Sequence, residues 1–154
     1  MRYSKRVNIF LILILTFSVF GYGQLCPDFQ KMGDCQKDFE ATFRYYNQSR
    51  GEAIKIGSSA KYNIVFYGNK EYKLSFCTVK KFYPVHFKLT DVITEEVLYD
   101  NESDNYIESI GFGIEKTKQL LVEVEILAHK AGKKEIEENL PCLGMLIQFK
   151  AFDE

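Results

Sequence analysis

The chain contains no tryptophan, two histidines and three prolines in 154 residues. Histidine moves protons most readily near neutral pH. His86 alternates with Val85 and Phe87 and so points outward beside Lys88 and Thr90, and His129 opens a charged loop, so neither reads as an acid–base catalyst. There is no Gly-x-Ser-x-Gly elbow, and cysteine–histidine catalysis would compete with disulfide formation. No Cys-x2-Cys or Cys-x2-His pair is present, which leaves out a structural zinc site. Neither charge is in excess, with a formal net charge of −1, so there is no basic face for nucleic acid. No apolar run reaches the roughly 20 residues that span a bilayer.

The longest apolar run is Val7 to Phe20, and its flanks make it an export signal. Arg2, Lys5 and Arg6 precede it, and Gly21-Tyr22-Gly23 supplies small residues just before Gln24. Lipidation at Cys26 is the weaker alternative, because bulky Leu25 precedes it. Cleavage before Gln24 leaves 131 residues, enough for one domain with its own core. Loss of the three signal-region cations lowers the basic count from 20 to 17 against 21 acids, a net charge near −4. Charges of both signs are interspersed, as on a soluble surface. Export also changes how the four cysteines are read. Cys26, Cys35, Cys77 and Cys142 are an even set and read as two disulfides in an oxidising compartment. Three connectivities are possible. The expected one joins Cys77 to Cys142 at a sheet end and Cys26 to Cys35 as a local staple around Gly33.

The aromatics are 13 Phe and 10 Tyr, and with β-branched runs they favour strands. Only Pro27 to Tyr46 has helical spacing, through Phe29, Met32, Phe39, Phe43 and Tyr46, and Gly33 weakens its middle, so two short helices are the alternative. Beyond Glu52 the period becomes two. Tyr62/Ile64/Phe66, Tyr72/Leu74/Phe76, Val85/Phe87/Leu89, Ile110/Phe112/Ile114, Leu120/Val122/Val124/Ile126 and Met145/Ile147/Phe149 alternate as half-buried strands. Weaker candidates at Ala53 to Ile56 and Glu96 to Tyr99 bring the number to about eight. Gly68-Asn69-Lys70 reads as a hairpin loop. The run Asp100 to Asn105 reads as a polar connection, and His129 to Pro141 as a charged loop with a helical turn near Glu135. The fold class is therefore mostly β: an antiparallel β-sandwich, jelly-roll or Ig-like, with a short N-terminal helical segment. The expected organisation is a signal at 1–23, a helical segment at 24–50 and a sandwich at 51–154.

Two patterns could hold a ligand. Asp100, Glu102 and Asp104 alternate as calcium ligands often do, with Asn101 and Asn105 nearby, but the positions an EF-hand reserves for Gly and Glu hold Asn105 and Gly111. Tyr45, Tyr46, Tyr67, Tyr83, Tyr99 and Tyr106 could stack on sugar rings, although the Trp common in such platforms is missing. Asn47-Gln48-Ser49 and Asn101-Glu102-Ser103 are glycosylation sequons. No motif points to a catalytic residue or to a cofactor.

From Tyr62 to Phe149 the chain resembles a group of small exported β-sandwich proteins of Bacteroidetes-type bacteria. The resemblance is carried by Gly68-Asn69-Lys70-Glu71-Tyr72, Val97-Leu98-Tyr99-Asp100-Asn101, Thr117 with Leu120 to Glu125, and Cys142-Leu143-Gly144-Met145-Leu146-Ile147. It implies an exported location in the periplasm, at the outer membrane or outside the cell. It also implies a non-enzymatic accessory or protein-binding role in an envelope assembly, with an envelope or outer-membrane protein as partner. The alternative is a glycan- or calcium-binding module. Intact-mass analysis of exported protein should find a chain starting at Gln24; a lipid-bearing chain starting at Cys26 would overturn that reading.

Overall fold

A computed structural model describes residues 26–152. The signal and its cleavage point before Gln24 lie outside them. Nine strands form two antiparallel sheets: β1 (Arg44–Tyr45), β2 (Arg50–Ala53), β3 (Ser59–Phe66), β4 (Lys70–Thr78), β5 (Val85–Asp91), β6 (Val97–Asp100), β7 (Ser109–Ile114), β8 (Lys118–Ile126) and β9 (Cys142–Ala151). One sheet runs β1–β9–β4–β7, with β2 also on β9, and the other runs β3–β8–β5–β6. The pairings nest: β2 with β9, β3 with β8, β4 with β7 and β5 with β6. This is one long hairpin rolled until its halves face each other, which is jelly-roll rather than Ig-like order. A single helical turn, α1 (Lys133–Glu138), lies between β8 and β9.

Period-two alternation builds the core. In β5, Val85, Phe87 and Leu89 are buried while His86, Lys88 and Thr90 lie half-buried on the other face. The expected core of Ile64, Phe66, Leu74, Phe76, Val85, Phe87, Leu89, Val122, Val124, Ile126, Met145 and Ile147 is buried, and Phe112 and Phe149 pack half-buried against it. Rings meet edge-on or tilted, as their quadrupoles favour: Phe66 and Tyr72 at 4.9 Å between centroids, Phe76 and Phe87 at 4.6 Å.

Three expectations change. Gly68-Asn69-Lys70 does not close a hairpin. It carries the chain from one sheet to the other, because β3 pairs with β8 and β4 with β7 and β9. The segment from Pro27 to Tyr46 is not one continuous helix but breaks at Gly33, as the alternative of two short helices has it. It forms two 3-10 turns, Phe29–Lys31 and Gly33–Asp38, interrupted by extended Met32 and by Gly33 at φ 53°. Met32 and Phe39 are exposed, so no single apolar face exists, and the sandwich begins at Arg44.

The third change is the disulfide pairing. Cys26 joins Cys142 and Cys35 joins Cys77, with Cα separations of 5.5 and 5.3 Å. Cys77 and Cys142 do lie on neighbouring strands, but Cys77 pairs with Gly144. That leaves Cys142 on the diagonal, roughly 7–8 Å away and outside bridging geometry. Both cysteines point instead to the outer face, where the N-terminal segment crosses. With its sulfur bonded to Cys142, Cys26 has no thiol to carry a lipid.

Two glycines permit that crossing. Gly51 and Gly144 sit opposite each other on β2 and β9. A Cβ on Gly144 would lie 2.5 Å from Cys77 Sγ and 2.8 Å from Cys35 Sγ, and one on Gly51 would lie 2.6 Å from the Cys26 carbonyl oxygen. The covered strand is therefore buried on both faces. Leu146 and Gln148, on the outer side of β9, are 1% and 0% exposed. Gln148 accepts from the Glu40 N–H and donates to its carbonyl, both at 3.1 Å. Gly144→Ala should lower stability by about 1–3 kcal/mol or more, as overpacking does. Gly111→Ala, whose Cβ would meet nothing closer than 3.8 Å, should change little. Equal denaturant midpoints for the two variants would contradict the close approach.

Candidate functional site

β5 projects His86 outward, and the neighbouring β6 ends in Asp100, which caps the 3-10 turn Asn101–Asp104. His86 Nε2 and Asp100 Oδ1 are 2.9 Å apart, and the same oxygen accepts the Glu102 N–H at 3.0 Å. Burial pushes the Asp100 carboxyl up, but the Glu102 N–H and the His86 ring outweigh it and hold the group below its ordinary value. Tyr106 meets the rings of both His86 and His129 edge-on at 5.9 Å, so two histidines distant in sequence share one end of the sandwich.

The expected calcium trio is not assembled. Asp104 accepts the Tyr99 hydroxyl at 2.7 Å, since a 3-10 turn directs residues two apart to different sides. The group that gathers is His86, Asp100 and Glu102, each with a ligand atom within 4.8 Å of the others. One nitrogen and two carboxylates suit a borderline metal such as zinc better than calcium. Ser59 shares with His86 a depression of about 110 Å³. Both residues flank Glu125 from opposite strands, so they lie roughly 9–10 Å apart by interstrand spacing, beyond nucleophile–base contact.

Asn101 is the residue that sequence reasoning missed. It is fully buried; its Oδ1 accepts the Phe87 N–H at 2.8 Å, and its Nδ2 donates to the carbonyls of Val85 and Ile107 at 2.9 and 3.0 Å. It pins the β6–β7 connection to the start of β5. A polar residue in a run of turn formers carries no signal of this role. Its sequon nitrogen is consequently inside the fold, whereas Asn47 is exposed.

The six candidate tyrosines do not form a row. Tyr46 is buried, Tyr83 accepts the Thr78 N–H, and of the six only Tyr67 is among the exposed large apolar side chains. Tyr99 is turned to Asp104, and burial followed by that carboxylate pushes its phenol up to about 12.

The larger concavity lies between the two sheets where β6 and β7 end them. It measures about 660 Å³ and is lined by Leu89, Leu98, Tyr99, Ile110, Phe112 and Leu120, with Glu115, Lys116 and Lys118 also contributing. A second, of about 630 Å³, lies under the N-terminal segment beside Gln30, Phe39, Tyr45 and Leu146. Among the described residues, one wall of the first is a strand, β7, with no neighbour on its outer edge. The Phe76 N–H donates to the Glu108 carbonyl at 2.8 Å, so by two-residue alternation Ile110, Phe112 and Ile114 bond to β4. Ser109, Gly111 and Gly113 then turn their backbone groups away from the sheet. Edge strands are ordinarily guarded by charge, proline or a bulge. Ser-Ile-Gly-Phe-Gly-Ile has none of these, whereas β6 carries a register shift.

No protein-family model matches the chain, and no curated protein is detectably similar to it. Two disulfides indicate an oxidising, exported environment. Among the described residues no helix is long and apolar enough to cross a membrane. Asn101→Ala should destabilise by at least about 1–3 kcal/mol, because it strands buried backbone groups. A neutral result in denaturant melts would show that the β6–β7 connection does not depend on it.

Proposed function

We propose that this chain is an exported, non-catalytic protein-binding module of a bacterial cell-envelope assembly. Its β7 edge receives an extended segment of an envelope or outer-membrane partner. The observation that carries this reading is the undefended edge beside a groove of core side chains. Strand addition uses both: the edge supplies backbone hydrogen bonds, and the groove takes alternate side chains. The two disulfides and the signal-like N-terminal sequence support a location in the periplasm, at the outer membrane or outside the cell.

The polar cluster at His86 supports the other reading, a ligand-binding module. The two separate in one experiment. Gly111→Pro removes an N–H that faces away from β4 and leaves the native ladder intact, which edge strands tolerate. Pull-down from native envelope should recover the same partner with the unaltered protein and with His86→Ala, but not with Gly111→Pro. Loss with His86→Ala and retention with Gly111→Pro would assign binding to the cluster instead.

A further inference from the structure

Asn101 fixes what stands on either side of it. Its side chain accepts the Phe87 N–H and donates to the Val85 carbonyl, so the turn after β6 is docked on the two residues that flank His86. Asn101 is buried, and its neighbours Asp100 and Glu102 are left on the outer side beside His86. His86 Nε2 stands 2.9 Å from Asp100 Oδ1, and one ligand atom from each of the three residues lies within 4.8 Å of the others. A pair with His86 occupies only one carboxylate. Among the described residues Glu102 has no lysine or arginine partner, and its carboxylate accepts a single long bond, from the Tyr106 hydroxyl at 3.4 Å. Lys88, opposite Asp100 on β5, is turned to Glu123 at 3.7 Å. Two adjacent carboxylates therefore share one imidazole. We propose that His86, Asp100 and Glu102 bind a divalent first-row metal ion, zinc above all, which clamps the turn after β6 onto β5. The site is independent of the reading of β7 as a binding edge.

The donors select the metal. Calcium and magnesium are held by oxygen, calcium by roughly 6–8 ligands, and neither favours an imidazole. One nitrogen with two carboxylate oxygens suits zinc, which binds imidazole at about 2.0–2.1 Å and carboxylate at about 2.0–2.2 Å. Tetrahedral geometry at those lengths sets the donor atoms roughly 3.3–3.5 Å apart. The His86–Asp100 separation lies just inside that spacing, and Glu102, exposed at the rim, has the freedom to close the remainder. Three protein ligands leave one position for water, and the side is open, with the His86 and Asp100 side chains 25% and 35% exposed. Contacts around the ligands hold them in place. Asp100 Oδ1 accepts the Glu102 N–H at 3.0 Å, and the Tyr106 ring meets His86 edge-on at 5.9 Å. Such outer contacts orient ligating groups. All four cysteines are in disulfides, so this nitrogen–oxygen site differs in kind from the thiolate sites whose motifs the sequence lacks.

The test uses the mature, disulfide-bonded chain without a polyhistidine tag. Titration calorimetry should show one zinc ion per chain, and excess calcium or magnesium should not displace it. His86→Ala should weaken zinc binding at least about 100-fold. Asp100→Asn keeps an acceptor for the Glu102 N–H, and Glu102→Gln keeps the side-chain shape, so both variants should fold as the unaltered chain does. Each should weaken zinc at least about 10-fold. His129→Ala and Asp104→Asn alter the other histidine and the acid turned to Tyr99, and should leave the affinity unchanged. Cobalt(II) in place of zinc should give the visible absorption of nitrogen–oxygen ligation, and His86→Ala should abolish it. Zinc should also raise the melting temperature of the unaltered chain and not that of His86→Ala. Failure to bind zinc below millimolar concentration overturns the proposal, as does calcium bound as tightly as zinc. Zinc that binds equally well after His86→Ala, or that is lost with His129→Ala, is adventitious surface binding and overturns it too.

Discussion

The rest of the structure depends on how closely the N-terminal segment approaches the outer face of the β9 sheet. Two glycines opposed across β2 and β9 leave a flat floor, and both disulfides are made over it. The segment thereby covers Cys77, Leu146 and Gln148, which would otherwise be the solvent side of a sheet. The approach has a cost: the Gln30 side-chain oxygen is buried without a hydrogen-bond partner, 2.8 Å from where a Gly51 Cβ would sit. Bonding at both ends of the segment makes that cost tolerable. The two bridges close loops of 116 and 42 residues. In the chain-entropy model these contribute about 5 and 4 kcal/mol taken singly. The shorter loop lies inside the longer one, so the two are not additive.

The same bridges suit the topology. A jelly roll pairs its first strand with its last, so its closing contacts are among the most distant in sequence and the slowest to form. Cys26–Cys142 ties the start of the described chain to the start of β9, the strand that finishes the roll. Cys35–Cys77 ties the same segment to the neighbouring β4. Each bridge therefore fastens one non-consecutive strand of the sheet to a common strap, which holds β9 and β4 in register from outside the core.

Half-burial was legible in the sequence, and its interruptions were not. Every strand with clean alternation was found, because period-two patterning reports one buried face. The pattern says nothing about which strands pair, so the passage at Gly68–Lys70 between sheets looked like a hairpin. It also misleads where a strand is covered twice. Leu146 breaks the polar side of β9, and that single apolar residue, next to Gly144, was the available sign of the strap. Helical spacing from Phe29 to Tyr46 was real but lacked the means to persist. Asp28 and Gly33 take left-handed backbone, and two cysteines must reach different strands. At the candidate site, the outward position of His86 was readable from parity. Its pairing with Asp100 was not, because it depends on how β6 lies against β5.

The two sides of the sandwich are finished differently, and the difference has functional weight. On the β2–β3 side, side chains seal the free edge. Tyr46 donates its hydroxyl to the Val65 carbonyl at 2.6 Å, and Gln48 donates to the same carbonyl at 3.4 Å. Tyr62 hydrogen-bonds Glu52 under the Arg50 guanidinium, which lies 4.9 Å from its ring. Bonds to β3 thus come from the segment that precedes it, and that edge has a local guard. On the β6–β7 side, the connecting loop spends its one buried amide, Asn101, on holding itself to β5. It donates to Ile107 and goes no further along β7. A chain able to seal one edge with tyrosines and a glutamine has, at the other, a strand whose outward side chains are serine and glycine. The Phe152 ring lies over Gly113, while the space at Gly111 is open, and it is there that room is left for another backbone to approach, as strand pairing requires.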